Sequence, residues 1–256
     1  MIDAHATIHP HARLAEDVEV GPYTMIGADV EIGPGTWIGP HVVINGPTRI
    51  GRDNQVHAFA ALGGAPQDKG YQGDPTRLEI GDRNVIREYC SMSRGTVKGG
   101  GLTRVGDDNW FMAYAHVAHD CRIGNHTVFI NNATLAGHIE VGDHTILSGF
   151  TAVYQFCTIG AHVFSAGGSL IHKDVPPYLL VSGQFARPIG INATGLKRRG
   201  FSSATILQLK RAFKILYHSS LPLDQALEQL RPLAAGTPEV GEMVAFIEGS
   251  SRGVIR

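Results

Sequence analysis

Residues 117–142 read VAHDCRIGNHTVFINNATLAGHIEVG, and an apolar residue recurs at every sixth position of this segment. The recurring residues are Val117, Ile123, Phe129, Leu135 and Val141. The same phase extends outward over 8–62, 80–92 and 105–171, where 24 of 25 positions are apolar and only Ser165 is not. A composition of 43% hydrophobic residues would place about 11 apolar residues there by chance, so the period reflects a repeating fold.

Each six-residue unit has one large and one small residue suited to an interior. Glycine often follows the large residue, as at Gly124 and Gly142, and a small residue such as Cys121 stands four positions after it. This pattern predicts a mainly β protein, a left-handed parallel β-helix of hexapeptide repeats; the left hand is a known property of such coils and an exception to the usual crossover rule. Three units close one coil, so residues 18 apart are expected to stack at about 4.8 Å.

The period is interrupted twice and then ends. The interruptions, at about 64–79 and 94–104, are rich in Gly, Pro and Asp and predict two loops that leave the β-helix. After Pro176-Pro177 the spacing becomes helical, with a start at Ser202 or Ser203 and further helices near Leu223 and Pro238. We therefore expect a β-helix over 1–190 and a C-terminal α-helical domain over 191–256.

Charge and cysteine content exclude several classes of function. The chain has 22 basic and 23 acidic residues, a net charge of -1, and so has no overall field that would gather nucleic acid. No apolar stretch approaches the ~18 residues of a membrane span, and the first residues do not form a signal peptide pattern. The three cysteines lie in the small inward column without CxxC spacing. We expect a soluble, cytoplasmic protein that does not span the membrane or bind nucleic acid.

The segment 116–121, HVAHDC, contains two histidines and a carboxylate within one turn. Both His119 and Asp120 are expected to point outward, with Gly137 stacked above His119 by the 18-residue rule. In a functional interpretation, His119 is a general base, Asp120 fixes its tautomer and the Gly137 N–H stabilises an oxyanion. The alternative is that these are ordinary wall residues, since the chain has 13 histidines. From spacing alone the two interpretations are equally supported.

Two further features extend the candidate site. The stacked column Ala113, Asn131, Gly149 and Gly167 is unusually shallow, which suits either a groove beside a neighbouring subunit's His119 column or simple close packing between subunits. The segment 192–200, NATGLKRRG, clusters three cations ahead of the helices. Arginine pairs suit diphosphates, although a solvated helix start would have the same composition.

Several longer motifs together resemble one enzyme family. They are HVAHDCRIGN (116–125), NNATLAGH (131–138), TAVYQFCTIGAH (151–162), DVPPY (174–178), GLKRRGFS (195–202) and SRGVIR (251–256). The chain resembles the UDP-N-acetylglucosamine O-acyltransferases of lipid A biosynthesis over essentially its whole length. The resemblance implies a homotrimer that moves a 3-hydroxyacyl chain from acyl carrier protein to the sugar 3-hydroxyl. It implies no bound cofactor and no metal, because the acyl donor is carried on the phosphopantetheine of acyl carrier protein.

The resemblance also implies residue roles. His119 matches the general base, Asp120 its orienting partner and Gly137 the oxyanion donor. Gly167 matches the position that limits acyl length, with Gly149 in the same groove; three coils, roughly 14 Å, separate Gly167 from His119 and predict a chain of about 14 carbons rather than 10. The substrate-binding positions of the family match His116, His138, Gln155, Asp68, Lys69, Asn192, Arg198 and Arg199.

Four positions depart from the family pattern. The substrate-binding lysine is displaced by one residue to Lys69, Ser93 and Tyr154 stand where histidines are found, and Thr194 stands where a glutamate contacts the sugar. These changes suggest weaker activity or an altered acceptor such as a 3-amino sugar. Three other interpretations use the same prism: a β-helical carbonic anhydrase with zinc on His116, His119 and His138, the N-acyltransferase of the same pathway, and a non-catalytic scaffold.

Overall fold

The computed structural model describes all residues from Met1 to Arg256. Very short strands dominate it, because each hexad contributes only one side of a coil before the chain turns. The strands are β1 (Thr7–Ile8), β2 (Arg13–Leu14), β3 (Glu19–Val20), β4 (Met25–Ile26), β5 (Val30–Ile32), β6 (Trp37–Ile38), β7 (Val43–Ile44), β8 (Thr48–Ile50), β9 (Gln55–Val56), β10 (Ala61–Gly64), β11 (Arg77–Ile80), β12 (Val85–Ile86), β13 (Ser91–Ser93), β14 (Leu102–Val105), β15 (Trp110–Phe111), β16 (His116–Val117), β17 (Arg122–Ile123), β18 (Val128–Phe129), β19 (Thr134–Leu135), β20 (Glu140–Val141), β21 (Ile146–Leu147), β22 (Ala152–Val153), β23 (Thr158–Ile159), β24 (Phe164–Ser165), β25 (Leu170–Ile171), β26 (Leu179–Ser182) and β27 (Arg187–Ile191).

Up to β25 every third strand joins the same sheet, so the sheets form three faces of a prism. The first face is β1-β4-β7-β10-β13-β16-β19-β22-β25, the second is β2-β5-β8-β11-β14-β17-β20-β23, and the third runs from β3 through β6, β9, β12, β15, β18, β21 and β24 to β26 and β27. All pairs are parallel except β26 with β27. We call the turn from first to second face the first corner (118–121 in one coil), the next the second corner (124–127), and the last the third corner (130–133).

The registers confirm the stacking rule and locate both loops. Thr134 pairs with His116 and Ala152 with Thr134, each 18 residues apart. Across loop 1 (65–76) the separation grows to 30 residues, as between Ala61 and Ser91, and across loop 2 (94–101) to 25. The second face resumes at Arg77 and Leu102, slightly before the predicted loop ends, because these residues pair with each other. Both loops leave the prism at the first corner.

The interior is filled by the residues of the hexad pattern. From Val20 onward all the predicted large inward residues are buried, as are the three cysteines, which are free. Asn54, Asn84 and Asn109 form a ladder in which each side-chain oxygen accepts the backbone N–H of the next coil, at 2.8–2.9 Å. Since buried polar groups must be paired, a shift of one coil against the next would leave these amides unpaired. The ladder and the apolar packing therefore both fix the vertical register.

Four helices follow the prism: α1 (Ala193–Arg198), α2 (Ser203–His218), α3 (Leu223–Gly236) and α4 (Pro238–Gly249). The Ser202 side chain caps α2 by accepting the Thr205 N–H, as expected. The sequence prediction did not include α1 or the antiparallel pair β26–β27. None of these helices combines the length and apolarity needed to cross a membrane.

The predicted fold class is confirmed: mainly β, a left-handed parallel β-helix of hexapeptide repeats with a C-terminal α-helical region. Because β27 ends at Ile191 and α1 begins at Ala193, we propose a domain boundary near residue 190. The tail returns to the prism, where Ile255 N donates to the Asp174 carbonyl at 2.9 Å and Ser250 Oγ donates to the Asp174 carboxylate at 2.6 Å.

Candidate active site

The first corner collects most of the predicted catalytic and sugar-binding residues. His116 pairs with Ser91 of β13, which places His119 one coil beyond loop 2. Gly137 lies on the next coil, and Phe156 N donates to its carbonyl at 3.1 Å, so Gln155 lies on the coil after that. The 18-residue rule therefore describes this column as the sequence predicts.

His119 and Asp120 form a directed pair. His119 Nδ1 lies 2.8 Å from Asp120 Oδ2. An ionised carboxylate can only accept, so Nδ1 donates, and in the neutral tautomer that this bond selects Nε2 keeps its lone pair. The imidazole is 14% exposed and the carboxylate 1%. His119 thus presents a basic nitrogen toward the surface while its other nitrogen is held from below.

Loop 2 covers the Asp120 carboxylate. Thr96 donates to it twice, from its backbone N to Oδ1 at 2.8 Å and from Oγ1 to Oδ2 at 2.7 Å. The Asp120 N–H in turn donates to Thr103 Oγ1 at 2.8 Å. The expectation that Asp120 points outward holds for the prism alone, but it is corrected here: the side chain leaves the prism and is buried beneath loop 2.

Gly137 lets the imidazole lie against the next coil. A Cβ at Gly137 would lie 2.5 Å from His119 Cε1 and 2.9 Å from Nε2. The Gly137 N–H has no acceptor within the chain, a property it shares with the matching turn positions His119 and Gln155. Gly137 is the residue of this column against which the His119 ring packs.

The remaining residues of the corner surround this pair. His138 Nε2 lies 3.6 Å from Asp120 Oδ2, and its ring stacks on Phe156 at 4.5 Å. His116 Nδ1 lies 2.7 Å from Ser91 Oγ. Burial, and then the nearby His119, lower the pKa of His116, so it is neutral at pH 7. Gln155 is exposed and makes no hydrogen bond within the chain.

Loop 1 approaches the same corner. Asp68 Oδ1 accepts the Gly70 N–H at 2.8 Å, and Lys69 is exposed and makes no ion pair. A Cβ at Gly70 would lie 3.8 Å from Lys98 Nζ, so a lysine of loop 2 lies beside Gly70 of loop 1. Arg94 ties the loops together, because it donates to Tyr71 Oη at 3.0 Å; this contact lowers the pKa of Tyr71 against the effect of burial.

The basic segment lies at a different corner. Asn192 Nδ2 donates to the His162 carbonyl at 2.9 Å, and Arg199 donates to the His144 carbonyl at 2.9 Å. Both carbonyls belong to the second corner. Burial lowers the pKa of Arg199. Beside it, Arg198 lines a cavity of about 330 Å³. The structure therefore does not bring Asn192, Arg198 and Arg199 to His119 within one chain.

The two groove glycines lie at the third corner and are open. A Cβ at Gly149 would meet the Asn131 carbonyl at 3.4 Å, and one at Gly167 would meet only the Gly149 carbonyl at 3.5 Å. Neither residue has a positive φ. Neither packing within the chain nor backbone conformation therefore requires glycine at either position.

Only one group of side chains in the chain resembles a metal site. It is His119, Asp120 and His138, whose potential ligand atoms lie within 4.8 Å of one another. This is not the triad that the carbonic anhydrase alternative needs, because His116 turns instead to Ser91. Two of the contacts to Asp120 Oδ2 are already made by Thr96 and His119.

Comparison with known proteins decides the family. Residues 174–255 match the model described as UDP N-acetylglucosamine O-acyltransferase, domain 2, and residues 29–64 and 102–137 match the bacterial transferase hexapeptide model. The acyl-[acyl-carrier-protein]–UDP-N-acetylglucosamine O-acyltransferase of Halorhodospira halophila is 57% identical over 100% of this chain and 99% of its own length. The relative of the same name from Thiobacillus denitrificans is 54% identical over 98% of this chain and 100% of its own length.

This chain belongs to the UDP-N-acetylglucosamine O-acyltransferase family. Solved members superpose closely: the Francisella novicida acyltransferase has a TM-score of 0.97 at 39% identity, covering 100% of this chain and 94% of that one. The Moraxella catarrhalis acyltransferase has a TM-score of 0.96 at 40% identity, covering 100% and 99%. The resemblance inferred from sequence is confirmed, and the protein is an acyltransferase. The three alternatives considered from sequence, the β-helical carbonic anhydrase, the N-acyltransferase and the non-catalytic scaffold, lose their support.

Sequence reasoning missed several residues of the candidate site. Thr96, Arg94 and Lys98 all lie in loop 2, which was predicted as a functional loop without any residue being singled out. Ser91 was missed as the partner of His116. The one available signal was the interruption of the hexad period, which locates a loop but does not show which of its side chains turns back to the prism.

Proposed function

We propose that this protein transfers a long 3-hydroxyacyl chain from acyl carrier protein to the 3-hydroxyl of UDP-N-acetylglucosamine, with His119 as the general base. The acyl transfer between these two substrates belongs to lipid A biosynthesis, of which it is the first step. The observation that carries the mechanism is the 2.8 Å bond from His119 Nδ1 to Asp120, with the Gly137 backbone against the same ring.

The arrangement suits attack of an alcohol on a thioester. His119 Nε2 takes the proton of the sugar hydroxyl as its oxygen bonds to the thioester carbon, and Asp120 stabilises the imidazolium that forms. The carbonyl oxygen becomes an oxyanion, which the free Gly137 N–H accommodates. When the intermediate collapses, the C–S bond breaks and the imidazolium returns its proton to the phosphopantetheine thiolate. The step needs no bound cofactor or metal.

Sugar-nucleotide binding is proposed to involve more than one chain. His116, His138 and Gln155, with Asp68 and Lys69 of loop 1, surround the first corner and would hold the sugar. The side chains suited to a diphosphate, Asn192, Arg198 and Arg199, are anchored at the second corner. A site using both sets requires a neighbouring copy. We therefore propose a homotrimer with active sites at subunit boundaries. A molar mass in solution equal to three chains would support this proposal, and a monomeric mass would contradict it.

The acyl groove is proposed to follow Gly149 and Gly167 of the neighbouring copy. These glycines leave an open surface that packing within the chain does not require. Three coils separate Gly167 from the level of His119, roughly 14 Å, which accommodates a long chain. We propose a preference for about 14 carbons over about 10 on this geometry. A side chain larger than hydrogen at Gly167 would shorten the groove without disturbing the fold.

We also propose that the protein works in the cytoplasm. Its three cysteines are buried and free, which is the state that a reducing compartment maintains.

The residues Ser93, Tyr154 and Thr194 differ from the family pattern, so the experiment compares acceptors with a 3-hydroxyl and a 3-amino group. Thr194 lines the cavity beside Arg198, and Tyr154 is exposed near Phe185.

The deciding experiment combines purified protein, UDP-N-acetylglucosamine or its 3-amino analogue, and acyl carrier protein bearing 3-hydroxyacyl chains of graded length. The wild type is expected to form a 3-O-acyl product and to use longer donors best. His119→Ala should lose at least a hundredfold in kcat, the usual contribution of a general base. Equal rates for the two proteins would refute the mechanism. A faster reaction with the 3-amino analogue would reassign the acceptor, and faster use of a 10-carbon than a 14-carbon donor would refute the groove length.

A further inference from the structure

Loop 2 contacts the prism at Asp120, where one residue of the loop, Thr96, makes two hydrogen bonds to the carboxylate. Thr96 is 5% exposed and its N–H and Oγ–H donate to different oxygens of the carboxylate, at 2.8 and 2.7 Å. Two donors from one residue fix the plane of a carboxylate as well as its position. That plane in turn sets where Oδ2 meets His119 Nδ1.

The direction of the Thr96 hydroxyl proton is determined by its neighbours. Gly99 N donates to Thr96 Oγ1 at 3.2 Å, in the short 3-10 helix Val97–Gly99 that Thr96 caps. Because the Gly99 N–H occupies a lone pair of Thr96 Oγ1, the single hydroxyl proton is directed to another acceptor, Asp120 Oδ2. The turn of loop 2 therefore aligns Thr96 for donation before any substrate binds.

Gly99 makes this close approach sterically feasible. A Cβ at Gly99 would lie 2.1 Å from Asp120 Cγ and 2.3–2.4 Å from both carboxylate oxygens. The backbone of loop 2 therefore rests directly on the carboxylate and shields it from solvent. Since charge interactions strengthen when water is excluded, the same contact strengthens the Asp120–His119 bond.

We infer that Thr96 is a positioning residue of this acyltransferase: through its two hydrogen bonds to Asp120 it holds the carboxylate that orients His119. The inference rests on the proposed function, because it gives Thr96 a role only if His119 acts as the base. Thr96 does not contact the reacting atoms. Loop 2 thereby becomes part of the catalytic apparatus and has more than a binding or structural role.

The test measures kcat and KM separately for Thr96→Val, Thr96→Ala and Thr96→Ser. The first two remove the hydroxyl, with and without retaining the side-chain volume, and should lower kcat roughly tenfold to hundredfold, as expected for a lost hydrogen bond to a charged group. The KM for UDP-N-acetylglucosamine should stay within about threefold, because no substrate contact is lost. Thr96→Ser keeps the hydroxyl and should restore most of kcat. Val97→Ala, at a 62% exposed residue of the same turn, is the matched control and should match the wild type.

A double-mutant cycle with Asp120→Ala separates positioning from loop stability. If Thr96 acts through Asp120, Thr96→Val causes no further loss in the Asp120→Ala background; losses that multiply would overturn the inference. A kcat for Thr96→Val and Thr96→Ala equal to that of the wild type, or no recovery in Thr96→Ser, would also overturn it. His119→Ala in the same assay separates the two claims. Its inactivity alongside a fully active Thr96→Val overturns the inference alone, whereas a fully active His119→Ala overturns the proposed function and the inference with it.

Discussion

Gly137→Ala perturbs the candidate site by a known distance. The added methyl would lie 2.5 Å from His119 Cε1, whereas ordinary contacts begin at 3.4 Å, so the ring must move by about 1 Å. Gly137 does not have a positive φ, so alanine adds no backbone strain. The Gly137 N–H is retained, which leaves the proposed oxyanion donor in place. The substitution therefore tests the position of the imidazole.

A 1 Å displacement of a catalytic group costs roughly a hundredfold in rate. We expect kcat/KM of Gly137→Ala to fall by about that factor. The assay is steady-state acyl transfer from the acyl carrier protein thioester to UDP-N-acetylglucosamine. The thermal midpoint should change little, because the atoms that must shift belong to the far end of a side chain and not to the backbone.

Gly236→Ala is the matched control. A Cβ at Gly236, at the end of α3, would meet nothing within 4 Å, so activity and stability should both be retained. Full activity of Gly137→Ala would show that the ring's contact with this coil is not needed for catalysis. The argument from the Gly137 notch would then be refuted.

Two predictions concern stability. Ser165→Val restores the hexad pattern at its only polar position, yet it should lower the free energy of unfolding by about 1–3 kcal/mol. The reason is that Ser165 Oγ accepts the Ser148 N–H at 3.1 Å and bonds Thr151 Oγ1 at 2.8 Å. An unchanged or higher urea midpoint would contradict this prediction. Burial, and then the charges of His144 and Arg199, lower the pKa of His162 from 6.5 to about 4. The neutral ring is thus favoured in the folded state, so its contribution is complete above pH 6.5 and is lost as the pH falls toward 4. His162 stacks on His144 at 4.8 Å and on Tyr178 at 5.5 Å, and His162→Phe keeps an aromatic ring in this stack. When the pH is lowered from about 7 to about 5, the free energy of unfolding from urea titrations should fall less in this variant than in the wild type. An equal fall would exclude His162 as a source of acid sensitivity.

The hexad period made most of the fold predictable. An inward residue at every sixth position, glycine turns and an 18-residue coil lead directly to the three faces and to the column that contains His119, Gly137 and Gln155. The helix starts at Ser202 and Pro238 followed from their caps. The helix α1 and the pair β26–β27 were missed because they are short and lie where the period ends, so no repeat supports them.

The site was predictable only along the prism. Stacking within one column is set by the local period, which is why His138 over Asp120 could be placed in advance. The burial of Asp120 could not be, since it depends on how loop 2 folds back, and no periodic signal records the path of a loop. The separation of Asn192 and Arg199 from His119 was hidden for a related reason: the resemblance gives roles to residues without saying which corner carries them.

By itself, then, the sequence determined the prism and the register of its coils, because a six-residue period converts chain position directly into a place on a face. The role of His119 as general base was implied by the family resemblance and not by the period. Only the tertiary structure decided that Asp120 lies beneath Thr96 and Gly99, that Lys98 lies beside Gly70, and that the arginines belong to another corner. Those contacts join segments separated by loops of irregular backbone, where the path is set by hydrogen bonds and close packing between distant residues, and local spacing carries no information about them.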